Sequence, residues 1–166
     1  NYSKEESPDL IELDTEVVSQ LRDYVVTIAL QYHDNPFHNF DHASHVGMSV
    51  AKLMSRIVGP DSVLERQSSS RKINASDGAL ASSLHDHTYG ITSDPLTQFA
   101  CVYADLIHDV DHQGVPNTQL VKENAPVAVH YKGKSVAEQN SVDIAWNLLM
   151  EPSYDALRNA ICPTGQ

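Results

Sequence analysis

Two short runs concentrate the residues able to do chemistry. The first is His38-Asn39-Phe40-Asp41-His42. The second is His108-Asp109-Val110-Asp111-His112, followed by Gly114 and Asn117. Four residues apart at the start of a helix, His38 and His42 share one face. Neutral imidazole is a common ligand of zinc and other transition metals, and a carboxylate can bridge two cations. His108 and Asp109 are adjacent at the end of an apolar stretch, where a buried carboxylate is costly unless paired or bound to metal. Asp111 and His112 add groups able to orient such ligands. One histidine is left over for proton transfer. This combination points to metal-assisted hydrolysis.

Helices must carry these groups, because the apolar periodicity of the chain is helical throughout. Val17, Val18, Leu21, Val25, Ile28, Ala29 and Tyr32 recur at helical spacing. Asp14-Thr15-Glu16 supplies an acidic first turn, and Asn35-Pro36 stops this helix just before the first histidine run. A second helix carries Val46, Val50, Leu53, Met54 and Ile57 as its stripe and ends at Gly59-Pro60. A third starts near Pro95, with Leu96, Phe99, Ala100, Tyr103, Leu106 and Ile107 inward, and delivers His108 and Asp109 at its C-terminal end. A short helix is expected from Asn117, a longer one over Ser135 to Met150, and a last one over Tyr154 to Ile161. No alternating strand pattern of useful length occurs. The fold class is therefore all-α. Residues 61–94 are polar and lack sustained periodicity, which reads as a flexible, solvated insertion.

Composition narrows the partners. At 166 residues the chain is most simply one domain, able to bury roughly 70% of its unfolded surface. Its net charge is −11. That argues against nucleic acid and anionic lipid, which are held mainly by Lys and Arg. A small anionic substrate stays compatible if bound cations invert the local charge. Cys101 and Cys162 make no disulfide framework, and no apolar run approaches the ~20 residues of a membrane span. A reducing, cytoplasmic setting is expected, or the cytoplasmic part of a membrane protein. The first residue is Asn1 rather than Met, so the chain reads as a piece of something larger.

The ordered motifs carry a family resemblance. Asn35-Pro36-Phe37-His38-Asn39-Phe40-Asp41-His42-Ala43 resembles the Y-H-N-x-x-H-A signature of class I cyclic nucleotide phosphodiesterases. His108 to Asn117 resembles that family's H-D-x-D-H-x-G-x-x-N motif, and Ser135-Val136-Ala137-Glu138 is similar to its S-V-L-E element. The resemblance implies a helical domain of the phosphodiesterase or broader HD type, lacking its C-terminal side. It implies hydrolysis of cAMP or cGMP to the 5′-monophosphate in cyclic nucleotide signalling. By position, His38 corresponds to the proton donor. His42, His108 and Asp109 correspond to ligands of the tight metal, normally zinc. Asp109 also corresponds to the contact with a second metal, magnesium or manganese. His38 and Asp109 face the substrate, Asp111, His112 and Asn117 support them, and Glu138 orients the His38 ring.

The chain also departs from the pattern. Phe37 stands where tyrosine is usual, Gln139-Asn140-Ser141 replaces N-H-H, and the interval from His42 to His108 is longer than typical. The last metal ligand and the purine-binding residues of the family lie beyond the position of Gln166. The 166 residues alone are thus expected to bind metal weakly and turn over little. Regulatory or membrane domains fused outside this segment are compatible with it. Two other readings are a different HD-type metal phosphohydrolase and a non-catalytic helical fragment with an incomplete site. His85-Asp86-His87, His33, His45 and His130 read as surface histidines, and Asp143 and Asp155 as solvated helix residues.

Overall fold

The computed structural model describes residues 13–56, 86–91 and 94–163. Among the described residues, seven α-helices are delimited: α1 (Thr15–Leu30), α2 (Phe40–Met54), α3 (Pro95–Ile107), α4 (Asn117–Lys122), α5 (Pro126–His130), α6 (Val136–Leu149) and α7 (Asp155–Ile161). A single 3-10 turn, Pro152–Tyr154, leads into α7. Among the described residues there is no strand, as the periodicity requires.

Local chemistry sets the helix starts. Asp14 accepts a hydrogen bond from the Glu16 amide at 2.8 Å. The Asn39 side chain accepts from the His42 amide at 2.9 Å. Asp94 accepts from the Leu96 and Thr97 amides, with Pro95 at the first helical position, where its missing N–H costs nothing. Each such cap contributes about 1 kcal/mol. Ser135, at φ +38°, offers no side-chain cap to α6. Asn117 does so from a distance, accepting from the Ala137 amide at 2.9 Å.

The main core gathers Tyr24, Ile28, Ile107, Ala145 and Leu157 from α1, α3, α6 and α7, with Val110 from the turn after α3 and Tyr154 from the 3-10 turn. Burying side chains of this size contributes about 1.5–3 kcal/mol each. A smaller cluster of Leu120, Ala128 and Val136 ties α4 and α5 to α6. The α2–α3 contact is made through small residues. Ala43 is fully buried, and the Cβ position of Gly47 lies 4.0 Å from Asp105 Cβ. Small side chains there let the two helix backbones approach.

Several expectations need correction. Tyr32 lies beyond the end of α1, and its hydroxyl donates to Leu106 O at 2.8 Å. The buried face of α2 is Ala43 and Gly47 rather than Leu53, which is exposed. On α3, Leu96 and Ala100 are exposed, while Phe99, Tyr103 and Leu106 are half-buried. Here packing against one neighbour narrowed a stripe that periodicity alone drew too wide. Helix α5 was not anticipated, because five residues with one buried side chain carry no period. Cys101 is half-buried and Cys162 exposed, both as free thiols. Ile57 and Gly59-Pro60 lie outside the described residues. So does the expected insertion at 61–94, except for 86–91 and 94.

Candidate metal centre

Helices α2 and α3 bring the two histidine runs together. The ligand atoms of His42, His108 and Asp109 all lie within 4.8 Å of one another. Those of His38, Asp109 and His112 do the same. Asp109, shared by both groups, is buried, at 8% exposure. The rings form a wall of aromatic contacts. His38 stacks on His112 with centroids 3.8 Å apart and planes 14° apart. Phe37 lies 4.2 Å from the His42 ring and 5.0 Å from that of His38.

Asn35 bridges the runs. Its Nδ2 donates to His112 O at 2.7 Å and to His38 O at 3.2 Å. Its backbone oxygen accepts from Asn39 Nδ2 at 2.8 Å. Asn35 Oδ1 sits 2.6 Å from where a Cβ on Gly114 would stand, and Gly114 has φ +73°. Only glycine fits both the space and the backbone conformation. Asn35 reads in the sequence as a helix stop, so this bridging role is visible only in three dimensions.

Hydrogen bonding divides the imidazoles by tautomer. His108 Nδ1 lies 2.7 Å from Asp105 O, and a carbonyl can only accept. Nδ1 therefore carries the proton, and the neutral ring keeps its Nε2 lone pair, 3.1 Å from Asp109 Oδ2, for a cation. His112 is the opposite case. Its Nδ1 accepts from the Gly114 amide at 3.0 Å, so the neutral ring carries its proton on Nε2. His112 is thereby a donor into the site rather than a ligand. Burial, then the neighbouring His38, pushes its pKa below the usual histidine value.

The acidic and amide groups divide likewise. Glu138, expected to orient His38, accepts from Asn117 Nδ2 at 2.9 Å. That hydrogen bond and the Glu138 amide hold its carboxyl below the usual range against a smaller opposing effect of burial, and His112 adds a favourable charge. Asp111 turns away from the cluster. One of its oxygens lies 2.7 Å from His33 Nε2, and the other accepts from Asn140 Nδ2 at 2.8 Å. His33 reads in the sequence as a surface histidine, and neither it nor Asn140 carries a sequence signal as a partner of Asp111. Asp105 keeps a buried carboxylate oxygen with no hydrogen-bond partner among the described residues. His45, His87 and His130 are exposed and belong to neither group. His85 lies outside the described residues. Asp143 is exposed and accepts from Tyr131. Asp155 pairs with Arg158 on the surface.

The donor set fits a divalent cation. Two imidazoles and a buried carboxylate converge, and one imidazole is held in the ligating tautomer by a backbone carbonyl. A cation there would neutralise the buried charge of Asp109.

Comparison with known proteins bears on the family and the fold. Residues 37–161 match the family model described as 3'5'-cyclic nucleotide phosphodiesterase. The chain is 31% identical over 161 residues to the human cGMP-inhibited 3',5'-cyclic phosphodiesterase 3A, covering 86% of this chain. It is 28% identical over 141 residues to a Caenorhabditis elegans protein named "Probable 3',5'-cyclic-AMP phosphodiesterase pde-4", covering 85% of this chain. It spans 14% and 16% of the length of those relatives. The fold is similar to the phosphodiesterase domain of the RhoPDE fusion protein from the choanoflagellate Salpingoeca rosetta. The TM-score is 0.59 at 22% identity, over 89% of this chain and 36% of that one.

Proposed function

The chain belongs to the 3'5'-cyclic nucleotide phosphodiesterase family, and from that premise we propose that it contributes the metal-binding and proton-donating groups of a site that hydrolyses cAMP or cGMP to the 5′-monophosphate. The observation that carries this reading is the convergence of His42, His108 and Asp109 beside the His38–His112 stack. His42, His108 and Asp109 would hold the tight metal, zinc, and Asp109 would also serve a second, magnesium or manganese. When bound, these cations polarise the phosphate and make water more acidic, and they bring the positive charge that a chain of net charge −11 lacks.

The protein's own groups supply the rest. Hydrolysis breaks the P–O3′ bond, and His38 donates the proton that O3′ takes up. The His112 ring stacked on His38 limits its rotation. The His112 Nε2–H is available to a phosphate oxygen or a water in the cleft. Glu138 acts through Asn117 and the field at His112, so it steadies His38 at one remove. Phe37 shields the His38 and His42 rings with an aromatic face.

Among the described residues no helix is long and apolar enough to cross a membrane. A cytoplasmic location, where cyclic nucleotides act as signals, goes with this reading. The substrate is a small cyclic nucleotide rather than a nucleic acid strand, in keeping with the acidic charge. Similarity along most of the chain to cyclic phosphodiesterases favours this over a general phosphohydrolase or an inert helical fragment.

The test is a paired measurement on the intact protein. Metal content by mass spectrometry and turnover of cyclic against linear nucleotides are compared for wild type and Asp109→Ala. Wild type is expected to hold metal and prefer the cyclic substrate. D109A is expected to lose both metal and turnover. A metal-free but active wild type, or preference for linear esters, would overturn the reading.

A further inference from the structure

The turn that carries Asp109 and His112 is gripped from outside the site. Asp111 has φ +58°, in the left-handed region that an L side chain occupies at a cost of about 1–3 kcal/mol. Its surroundings offset that cost. The Asp111 amide donates to Gln31 O at 3.1 Å, at the end of α1. Its carboxylate can only accept, so His33 Nε2 donates to one oxygen at 2.7 Å. Asn140 Nδ2 donates to the other at 2.8 Å from α6. Gln113 Nε2 donates to Asp111 O at 2.9 Å. One residue earlier, Val110 is fully buried, and its carbonyl accepts from the fully buried Ser141 hydroxyl at 2.7 Å. Side chains 109 to 112 thus point in fixed, alternating directions. Val110 enters the core, Asp111 meets His33 just past α1 and Asn140 on α6, and Asp109 and His112 face the cluster.

We propose that His33, Asp111 and Asn140 form a clasp whose role is to aim Asp109 and His112 at the metal, none of the three touching it. They are positioning residues. The clasp joins three distant stretches of chain: the segment leaving α1, the ligand turn, and α6. Helix α6 also carries Glu138, whose partner Asn117 caps that helix. Two hydrogen bonds therefore set the register of α6 against the ligand turn: Asn140 to the Asp111 carboxylate and Ser141 to Val110 O. Asn140 and Ser141, within the stretch that departs from the family pattern, supply the α6 side of the grip. This inference rests on the metal-binding reading above.

An exchange experiment on the intact protein tests it, with Mn2+ as the probe. Asn140→Asp sets two carboxylates against each other at hydrogen-bond distance, so the clasp must open. Mn2+ affinity by calorimetry is expected to fall on the order of 10–100-fold. Circular dichroism is expected to keep the wild-type helix content. The double exchange D111N/N140D again sets an amide against a carboxylate, and asparagine tolerates the left-handed turn. It is expected to regain most of the lost affinity, which a general loss of stability does not predict. His33→Ala, at an exposed position, is expected to weaken binding in the same direction and serves where N140D does not fold. Wild-type affinity in N140D or in H33A, or a double exchange no better than N140D, overturns the clasp alone. A wild-type protein that binds no Mn2+ overturns the metal reading and the clasp with it.

Discussion

Helix α3 runs between two polar regions that solve the same problem differently. One region is rich in tyrosine and the other in histidine. Tyr24, Tyr103 and Tyr154 meet among α1, α3 and the turn before α7. Every hydroxyl there finds a partner within the protein. Tyr24 donates to Ala145 O at 2.9 Å, so the 2.6 Å contact with Tyr103 has Tyr103 as donor. Tyr154 donates to Asp23 at 2.9 Å. The network is closed. At the histidine end the groups converge instead, with the buried Asp109 and the free Nε2 of His108 facing one another across a space a cation can fill. A closed network stabilises a fold, whereas a convergent one leaves the last interaction to a ligand. One region should therefore respond to substitution in stability and the other in chemistry.

The sharpest way to break this contrast is on the histidine side. His38→Ala is expected to reduce cyclic nucleotide turnover on the order of 10²–10⁴-fold, the usual range for a lost general acid. Metal content is expected to stay at the wild-type level, since His42, His108 and Asp109 remain. Undiminished turnover would remove His38 from the proton-donor role.

Ile28→Ala tests the other side. Ile28 is fully buried among Tyr24, Val110 and Ala145. The substitution is expected to cost about 2–5 kcal/mol in urea unfolding. Metal affinity measured well below the melting temperature should be unchanged. A stable I28A with weakened metal binding would mean that the two regions are one unit.

The smallest effect expected is a dependence on alkaline pH. Burial raises the pKa values of Tyr24, Tyr103 and Tyr154, and it pushes Tyr32 up to about 12. A phenol raised on folding contributes stability that is fully present below its ordinary value of 10. That contribution fades as pH rises towards the folded value. Melting temperatures are therefore expected to fall between pH 10 and about 12, and Tyr24→Phe to flatten the fall. An unchanged slope in that variant would assign the alkaline loss to other groups.

Much of the architecture is legible in local sequence. Asp14, Asn39 and Asp94 announce helix starts because an N-cap needs only its own side chain and the amides just ahead of it. Type and spacing of the two histidine runs suggest a metal centre, and the family resemblance singles out His42, His108 and Asp109 within them. The partners of Asp111 are not legible, because His33 reaches it from the segment after α1 and Asn140 from α6. The tautomer of His112 is equally hidden, since it follows from a contact with Gly114 across a tight turn. Helix α5 and the exposure of Leu53 and Ala100 escaped for a related reason. A stripe shows which side of a helix is apolar, while the neighbouring helix decides how much of it is covered.

By itself, the sequence determined the helical period, the caps, the ligand types and their family. Those properties depend on backbone geometry over a few residues. Tertiary structure alone decided that α2 and α3 approach through Ala43 and Gly47 and so bring His42 to His108 and Asp109. It also turned Asp111 away from the cluster and made His112 a donor. Such choices depend on which surfaces pack together and which hydrogen bonds the packing leaves open, and no local spacing encodes them.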